Sequence, residues 1–240
     1  MAVFAVSDLH LPGGEPESKS MTVFGARWHD YIARLERNWR AVVGENDTVI
    51  VPGDISWASK LEDALDDLAF IDSLPGKKII GKGNHDFWWS TLSKMRGFLH
   101  DNNIFSIDFL QNNAYSVEGF AICGTRGWFF DKASQADVYT ADHEKLFARE
   151  AARLELSIKA GLKLSAGDAA ALRVFLHFPA VFGSDEASLI VDILERYRIS
   201  DVWYGHVHSP IQTPPVMLHK GIRFHLIASD AVNFTPILVR

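Results

Sequence analysis

Residues 78–86 read Lys-Ile-Ile-Gly-Lys-Gly-Asn-His-Asp. A short apolar strand, Lys78 to Ile80, runs almost directly into Gly83-Asn84-His85-Asp86, groups able to hold a cation or meet an anion. The same junction recurs on both sides of it. Strand Val3 to Val6 ends in Asp8-Leu9-His10, and strand Thr48 to Val51 in Gly53-Asp54. Strand Val174 to Leu176 ends in His177-Phe178-Pro179, and strand Val202 to Tyr204 in Gly205-His206-Val207-His208. Five of the ten histidines lie in these junctions. In open α/β sheets, ligands gather beyond the carboxyl ends of the strands, so five such ends can converge on one site.

Between the strands the apolar residues fall at helical spacing. Trp28 to Val43 carries Tyr31, Ile32, Leu35, Trp39 and Val42 on one stripe, and Leu61 to Ile71 carries Leu61, Leu65, Leu68 and Ile71. Further helices are predicted over Thr91 to Leu99, Ala141 to Ala160 and Glu186 to Tyr197. Tyr115 to Val117 and Phe120 to Cys123 flank Glu118-Gly119, a hairpin turn. Two late strands lie near Phe224 to Ile227 and Ile237 to Val239. Strand–helix alternation predicts a layered α/β architecture with helices outside. The central hairpin and the all-strand C-terminus predict a mixed sheet or two sheets. No linker or repeat divides the chain, so residues 1–240 are read as one domain.

Composition narrows the function classes. The 240 residues are 48% hydrophobic and 22% charged, ordinary for a globular chain. The formal net charge is −6 and no basic stripe is visible, so a nucleic-acid partner is not expected. No apolar run approaches the ~20 residues that cross a bilayer, and the N-terminus has no basic leader before Asp8, which predicts a cytoplasmic protein without a membrane partner. The single cysteine, Cys123, lies in the apolar run Phe120-Ala121-Ile122 and reads as a small buried hydrophobe.

The chemistry at the strand ends is specific. In Asp-x-His and His-x-His the donors stand two residues apart in extended chain and share a face. Imidazole with carboxylate suits Zn, Mn, Fe or Co better than Ca or Mg. Two ions about 3.5–4 Å apart need a bridging anion, which an aspartate such as Asp54 can supply. Asparagine adds a neutral oxygen. The glycines before Asp54, Asn84 and His206 suit close backbone approach. Taken singly, each of these residues reads as a cap or turn residue; taken together they predict a metal site. His29, His100, His143, His219 and His225 lack such spacing and read as surface or core.

Aromatic residues cluster near the junctions: Trp57, Phe87-Trp88-Trp89 and Trp128-Phe129-Phe130. Core packing and a stacking wall for a substrate are both open readings. Arg126, in a glycine-flanked turn, either reaches a substrate phosphate or serves the structure. Asp131 to Asp142 is polar and reads as a flap or a plain loop.

The ordered series DLH (8–10), GD (53–54), GNHD (83–86), LHFP (176–179) and GHVH (205–208) resembles the calcineurin-like metallophosphoesterases. The run Gly53-Asp54-Ile55-Ser56-Trp57-Ala58 and the pair Trp88-Trp89 look like the small bacterial phosphohydrolases of that superfamily. The resemblance implies a four-layer α/β/β/α sandwich of two mixed sheets flanked by helices. It also implies two divalent transition-metal ions such as Mn, Fe or Zn. One would be held by Asp8, His10, Asp54 and His208, the other by Asp54, Asn84, His177 and His206, with Asp54 bridging. His85 matches the histidine that protonates the leaving oxygen, and Asp86 is expected to hold the loop or orient His85 as a catalytic partner. Asn84 and Arg126 are the candidate contacts to substrate phosphate. The implied reaction is hydrolysis of a small-molecule phosphomonoester or phosphodiester, including nucleotides, by a hydroxide shared between the metals. A nuclease and a non-catalytic interaction scaffold are the alternatives. Protein phosphatases of the superfamily carry an arginine soon after GD and a glutamate after GNH; here Ile55-Ser56-Trp57 and Asp86 stand there, which disfavours that activity.

Overall fold

Alternation along the strands builds the layers. In the computed structural model, which describes residues 1–14, 20–129, 141–183, 185–208 and 213–240, β1 (Val3–Ala5), β2 (Thr48–Val51), β3 (Lys77–Ile80) and β4 (Ile107–Phe109) run parallel. The short β13 (Ile237–Leu238) pairs antiparallel with β1, completing a five-stranded sheet in the order β13-β1-β2-β3-β4. Helices α1 (Tyr31–Val42), α2 (Leu65–Ser73) and α3 (Leu92–Asp101) connect its strands.

The second sheet has six strands in the order β11-β12-β10-β7-β6-β5. The hairpin β5 (Tyr115–Val117) and β6 (Phe120–Thr125) forms one edge. Next come the parallel strands β7 (Leu172–Leu176), β10 (Asp201–Tyr204) and β12 (Ile222–Leu226), and β11 (Val216–His219) returns antiparallel along the other edge. A two-residue pair, β8 (Val181–Phe182) with β9 (Asp185–Glu186), stands apart. Helices α4 (Ala141–Leu164) and α5 (Ser188–Arg196) belong to this half.

Successive residues of a strand point to opposite faces. Val3, Ala5, Ile50 and Ile79 of the first sheet meet Ile122, Phe175, Trp203 and Ile227 of the second half in one buried cluster between the sheets. Their neighbours Phe4, Val49, Val51 and Ile80 face outward onto Leu35, Trp39, Leu68 and Leu99 of α1–α3. Cys123, Val174, Leu176, Val202 and Tyr204 likewise face Leu154, Ile158, Ile190 and Leu194 of α4 and α5. The result is helices, sheet, sheet and helices in four layers, as the resemblance implied. Cys123 is fully buried, and burial pushes its thiol up to about 12.

Several boundaries differ from the sequence expectation. The helix expected from Trp28 begins at Tyr31, because a 3-10 turn over Ala26–Trp28 and the left-handed Asp30 precede it. Leu61 caps a 3-10 turn that leads into α2, and Glu186 pairs in β9 ahead of α5. Strands β4 and β11 were not expected. The first is three residues long with Asp108 exposed at its middle, and the second is an edge strand whose Val216 and Leu218 lie in solvent. Phe130 and the stretch 131–140 lie outside the described residues. Among the described residues, no helix is long and apolar enough to cross a membrane.

The two sheets are joined where the parallel strands end. Ser7, just past β1, donates to the Ile227 carbonyl (2.8 Å) and accepts from the Ser229 amide (2.9 Å). Nearby, the Asp8 amide bonds Gly53 O and the Gly205 amide bonds His177 O. The loops after β1, β2, β7, β10 and β12 are therefore tied into one surface.

Candidate metal centre

The backbone at that surface is bent against ordinary preference. Asp8, His10, Asp54 and His206 all have left-handed φ, at 60°, 47°, 52° and 66°. Such values are uncommon outside glycine and persist where the surroundings enforce them, often at functional sites. Two glycines show why the chain can close in. A Cβ at Gly83 would collide with the Asp54 carboxylate, and one at Gly205 with the Asp8 carboxylate and the Ser7 side chain.

Two groups of donors form, Asp8 with His10 and His208, and Asp54 with His177 and His206; within each group the donor atoms lie inside 4.8 Å of one another. In the first group the Nε2 atoms of His10 and His208 are 3.1 Å apart, and Asp8 Oδ1 is 3.6 Å from the latter. In the second, His177 Nε2 is 2.7 Å from Asn84 Oδ1 and 3.5 Å from Asp54 Oδ2. Asp54 Oδ2 is also 3.7 Å from His10 Nε2, so one oxygen faces both groups. All seven residues assigned to metal by sequence, Asp8, His10, Asp54, Asn84, His177, His206 and His208, thus stand at the same strand ends.

The electrostatics suit a cation. Burial raises the Asp8 carboxyl to about 6, with Asp230 adding to the rise while His208, Ser7 and the His206 amide oppose it. Burial, then the charges of Asp8 and Asp86, push Asp54 well above the usual carboxylate range. Burial and the neighbouring imidazoles hold His10 and His177 well below theirs, and burial takes His206 to about 4. At His10, His177 and His206, imidazoles held toward the neutral form therefore face buried carboxylates. The buried Nδ1 atoms of His10 and His177 have no hydrogen-bond partner, and their Nε2 atoms lie 3.7 and 3.5 Å from Asp54 Oδ2. This oxygen and imidazole donor set fits divalent transition metals.

Supporting residues fix the cage. His208 Nδ1 is 2.9 Å from Asp230 Oδ1, while Arg27 sits 3.3 Å from the other Asp230 oxygen and donates to the His208 carbonyl. Burial pulls His208 down, but the Asp230 hydrogen bond and the Asp8 charge carry it above its ordinary value. A carboxylate on the far nitrogen of a ligating histidine orients the ring and raises its basicity. Asp230 was missed by sequence reasoning, although Ile227-Ala228-Ser229-Asp230 is one more apolar strand end followed by a carboxylate. Tyr31 adds a hydrogen bond of 2.6 Å to the His10 carbonyl.

Asp86 lies behind the Asp54 and Asn84 loops and bonds their backbone. It is fully buried, and its two oxygens accept from the amides of Asp54, Ile55, Ser56 and Gly83 and from the Trp88 indole. With five donors on it, the carboxylate holds the Asp54 and Asn84 loops together and positions them, with no lone pair aimed at a reacting group.

His85 stands beside the cage, half-buried, with its amide on Asp54 Oδ1 at 2.9 Å. Its ring lies 4.2 Å from that of Trp57 and 5.7 Å from that of His10, and burial, then His208, lowers its pKa. The aromatic residues divide. Trp88 is core, whereas Trp57 stacks on His10 at 5.1 Å and Phe87 is 67% exposed beside His85. Trp57, with Met21, Phe24, Trp28, His85 and His208, lines a mostly apolar pocket of about 220 Å³ on the Asp8 side of the cage. Arg126 is braced rather than extended toward the cage: its guanidinium lies over Trp128 and 3.5 Å from the buried Glu150.

Comparison with known proteins agrees with this geometry. The sequence profile described as calcineurin-like phosphoesterase matches residues 1–210. The Gene 66 protein of Mycobacterium phage L5 is 35% identical over 80 residues, 33% of this chain and 37% of that protein, so the match spans little more than a third of the phage protein's length. Among solved structures, a protein of unknown function from Aquifex aeolicus aligns with TM-score 0.52 at 15% identity, covering 99% of this chain and 95% of the other. The phosphopantetheinyl hydrolase of Mycobacterium tuberculosis aligns with TM-score 0.51 at 17% identity and the same coverage. At these identities the structural likeness speaks to fold alone.

Proposed function

The chain belongs to the calcineurin-like phosphoesterase family, and from that premise we propose that it hydrolyses small-molecule phosphate esters with two divalent transition-metal ions, manganese, iron or zinc among them. One ion would be held by Asp8, His10, Asp54 and His208, the other by Asp54, Asn84, His177 and His206. The observation that carries this reading is the Asp54 Oδ2 atom, 3.7 Å from His10 Nε2 and 3.5 Å from His177 Nε2, between the two donor groups. When bound, the cations supply Lewis-acid charge to phosphoryl oxygens and lower the pKa of water toward neutrality.

The protein's own residues supply the rest. Asp86 fixes the backbone of Asp54 and Gly83, so the shared carboxylate and the Asn84 amide oxygen keep their places. Asp230 fixes the His208 ring. Trp57 packs against both His10 and His85 and limits the freedom of the His85 ring. His85 then carries a proton to the leaving oxygen. Burial depresses its pKa, making its imidazolium a stronger acid, and the negative charge of a bound phosphoester favours that protonated form. The apolar pocket beside His85 receives the leaving group.

A metal-resolved assay tests the proposal. Protein stripped by chelator and reloaded with Mn, Zn or Fe is assayed on 4-nitrophenyl phosphate, its bis-ester and nucleotides. Loss of turnover on stripping and its return on reloading are expected. Fully loaded protein that turns over none of these substrates would point to a binding scaffold instead.

A further inference from the structure

A second cavity, of about 280 Å³, has a different character. Four cations line it: Lys82, Arg126, Arg149 and Arg153. Among the described residues the one carboxylate in its lining is Glu150, whose side chain is 1% exposed, while the charges of Asp86 and Asp54 also reach Lys82 and Arg126. Glu150 Oε1 is 2.7 Å from Arg153, 3.5 Å from Arg126 and 3.7 Å from Arg149, while Oε2 accepts from the Thr125 hydroxyl. One carboxylate is thus divided among three guanidinium groups. Lys82 has no hydrogen-bond or ion-pair partner among the described residues, and Arg126 Nε is buried without one. Among the described residues, the lining side chains carry a formal charge of +3, within a chain whose net charge is −6.

A fold needing only a brace here would stop at Glu150, Arg126 and Arg153. Gathering further like charge in a partly closed space is unfavourable unless an anion completes it. The position relates the cavity to the cage. Lys82 precedes Asn84 by two residues, and the intervening Gly83 packs directly on Asp54. The Arg126 carbonyl accepts from the amides of His177 and Phe178. Both segments that line the cavity therefore continue into ligands of the Asp54 group.

Resting on the hydrolase reading above, we propose that this cavity binds a second phosphate of the substrate, on the arm away from the leaving group. The preferred substrate is then a diester or anhydride with a remote phosphate, laid from the apolar pocket across the cage to Lys82 and Arg149. Guanidinium forks suit the oxygens of a phosphate, and Gln111 at the rim offers a neutral contact.

The test uses metal-loaded protein and 4-nitrophenyl phosphodiesters whose second arm is an alkyl chain of graded length ending in phosphate, carboxylate or hydroxyl. At the best length, kcat/KM for the phosphate-ended arm should exceed that for the hydroxyl-ended arm by roughly tenfold or more, as charge-assisted contacts imply. Lys82→Met with Arg149→Gln should bring that ratio close to one, while Arg149→Lys alone should keep most of it. Equal kcat/KM for all three ends at every length, with every ester hydrolysed, overturns the cavity assignment and spares the hydrolase reading. A preference that survives the double variant, or one for carboxylate over phosphate, also overturns it. Loaded protein that cleaves none of the esters removes the hydrolase reading and this inference with it.

Discussion

The two ends of β10 treat buried charge in opposite ways. At its start, Asp201 accepts from Arg223 at 2.7 and 2.5 Å, from His225 at 2.8 Å and from the Ser200 hydroxyl at 2.9 Å. Burial alone would raise its pKa, but these hydrogen bonds prevail and hold it below the ordinary value. Just past its end lie His206 and His208, and the carboxylates they face, Asp8 and Asp54, are raised by burial, which the His208 charge offsets only in part at Asp8. The first end is finished by the chain itself. At the second, burial outweighs the partners that the chain supplies, and strongly perturbed carboxyls in a cleft are a sign of function.

Asp54→Ala breaks that contrast most severely. It removes the oxygen between the two donor groups, so hydrolysis should fall by about 10⁴-fold or more, beyond the loss of an acid–base group, and metal content should drop below two ions per chain. Wild-type metal content in this variant would show that Asp54 is not shared. His85→Ala should cost ~10²–10⁴ in turnover on esters with poor leaving groups, with metal content unchanged. Wild-type rates there would remove His85 from the reaction.

Asp230→Asn sharpens the comparison, since it weakens a support and leaves the donor set intact. Metal affinity should fall by roughly 10–100-fold, read by competition with a chelating dye; unchanged affinity would make Asp230 a purely structural residue. At the finished end, Asp201→Asn should lower stability to urea by about 1 kcal/mol, at the modest end because the Arg223 side chain is 55% exposed. Metal content and turnover should not move. A larger effect on activity than on stability would contradict the division between the two ends.

The pH response separates the ends by sign. The Asp8 pKa is raised from 3.8 to about 6 in the metal-free protein, so the folded state binds the extra proton between those values. Its contribution therefore weakens as pH rises from about 4 to about 6. Asp201 is lowered, so its contribution is present above its unfolded pKa and is lost as pH falls through the folded one. Urea unfolding of stripped protein, compared with Asp8→Asn and Asp201→Asn, should show the pH dependence of the first term removed by one variant and that of the second by the other.

Much of this was legible from residues alone, and the gaps have physical causes. Runs such as Val49–Val51 and Val174–Leu176 are covered on both faces and read as continuous apolar stretches, as parallel strands do. For the same reason, a run like Val49-Ile50-Val51 does not say which residue faces the other sheet, and the layering came from the family resemblance. Short or solvent-facing strands, β4 and β11, carry too little pattern to register. The cage was visible because each donor sits in a local motif at a strand end. Asp230 obeys the same rule but has no histidine beside it to draw notice. The basic cavity was hidden entirely: Lys82, Arg126, Arg149 and Arg153 are scattered through an acidic chain and meet only when α4 packs on β6.

The proposed centre is a pair of adjacent cations sharing Asp54. The most direct measurement is electron paramagnetic resonance of stripped protein titrated with Mn(II), with hydrolysis of the bis-(4-nitrophenyl) ester followed in parallel. An exchange-coupled signal from neighbouring ions that grows in step with turnover is expected. Isolated Mn(II) signals at full loading, or activity complete with a single ion bound, would contradict it.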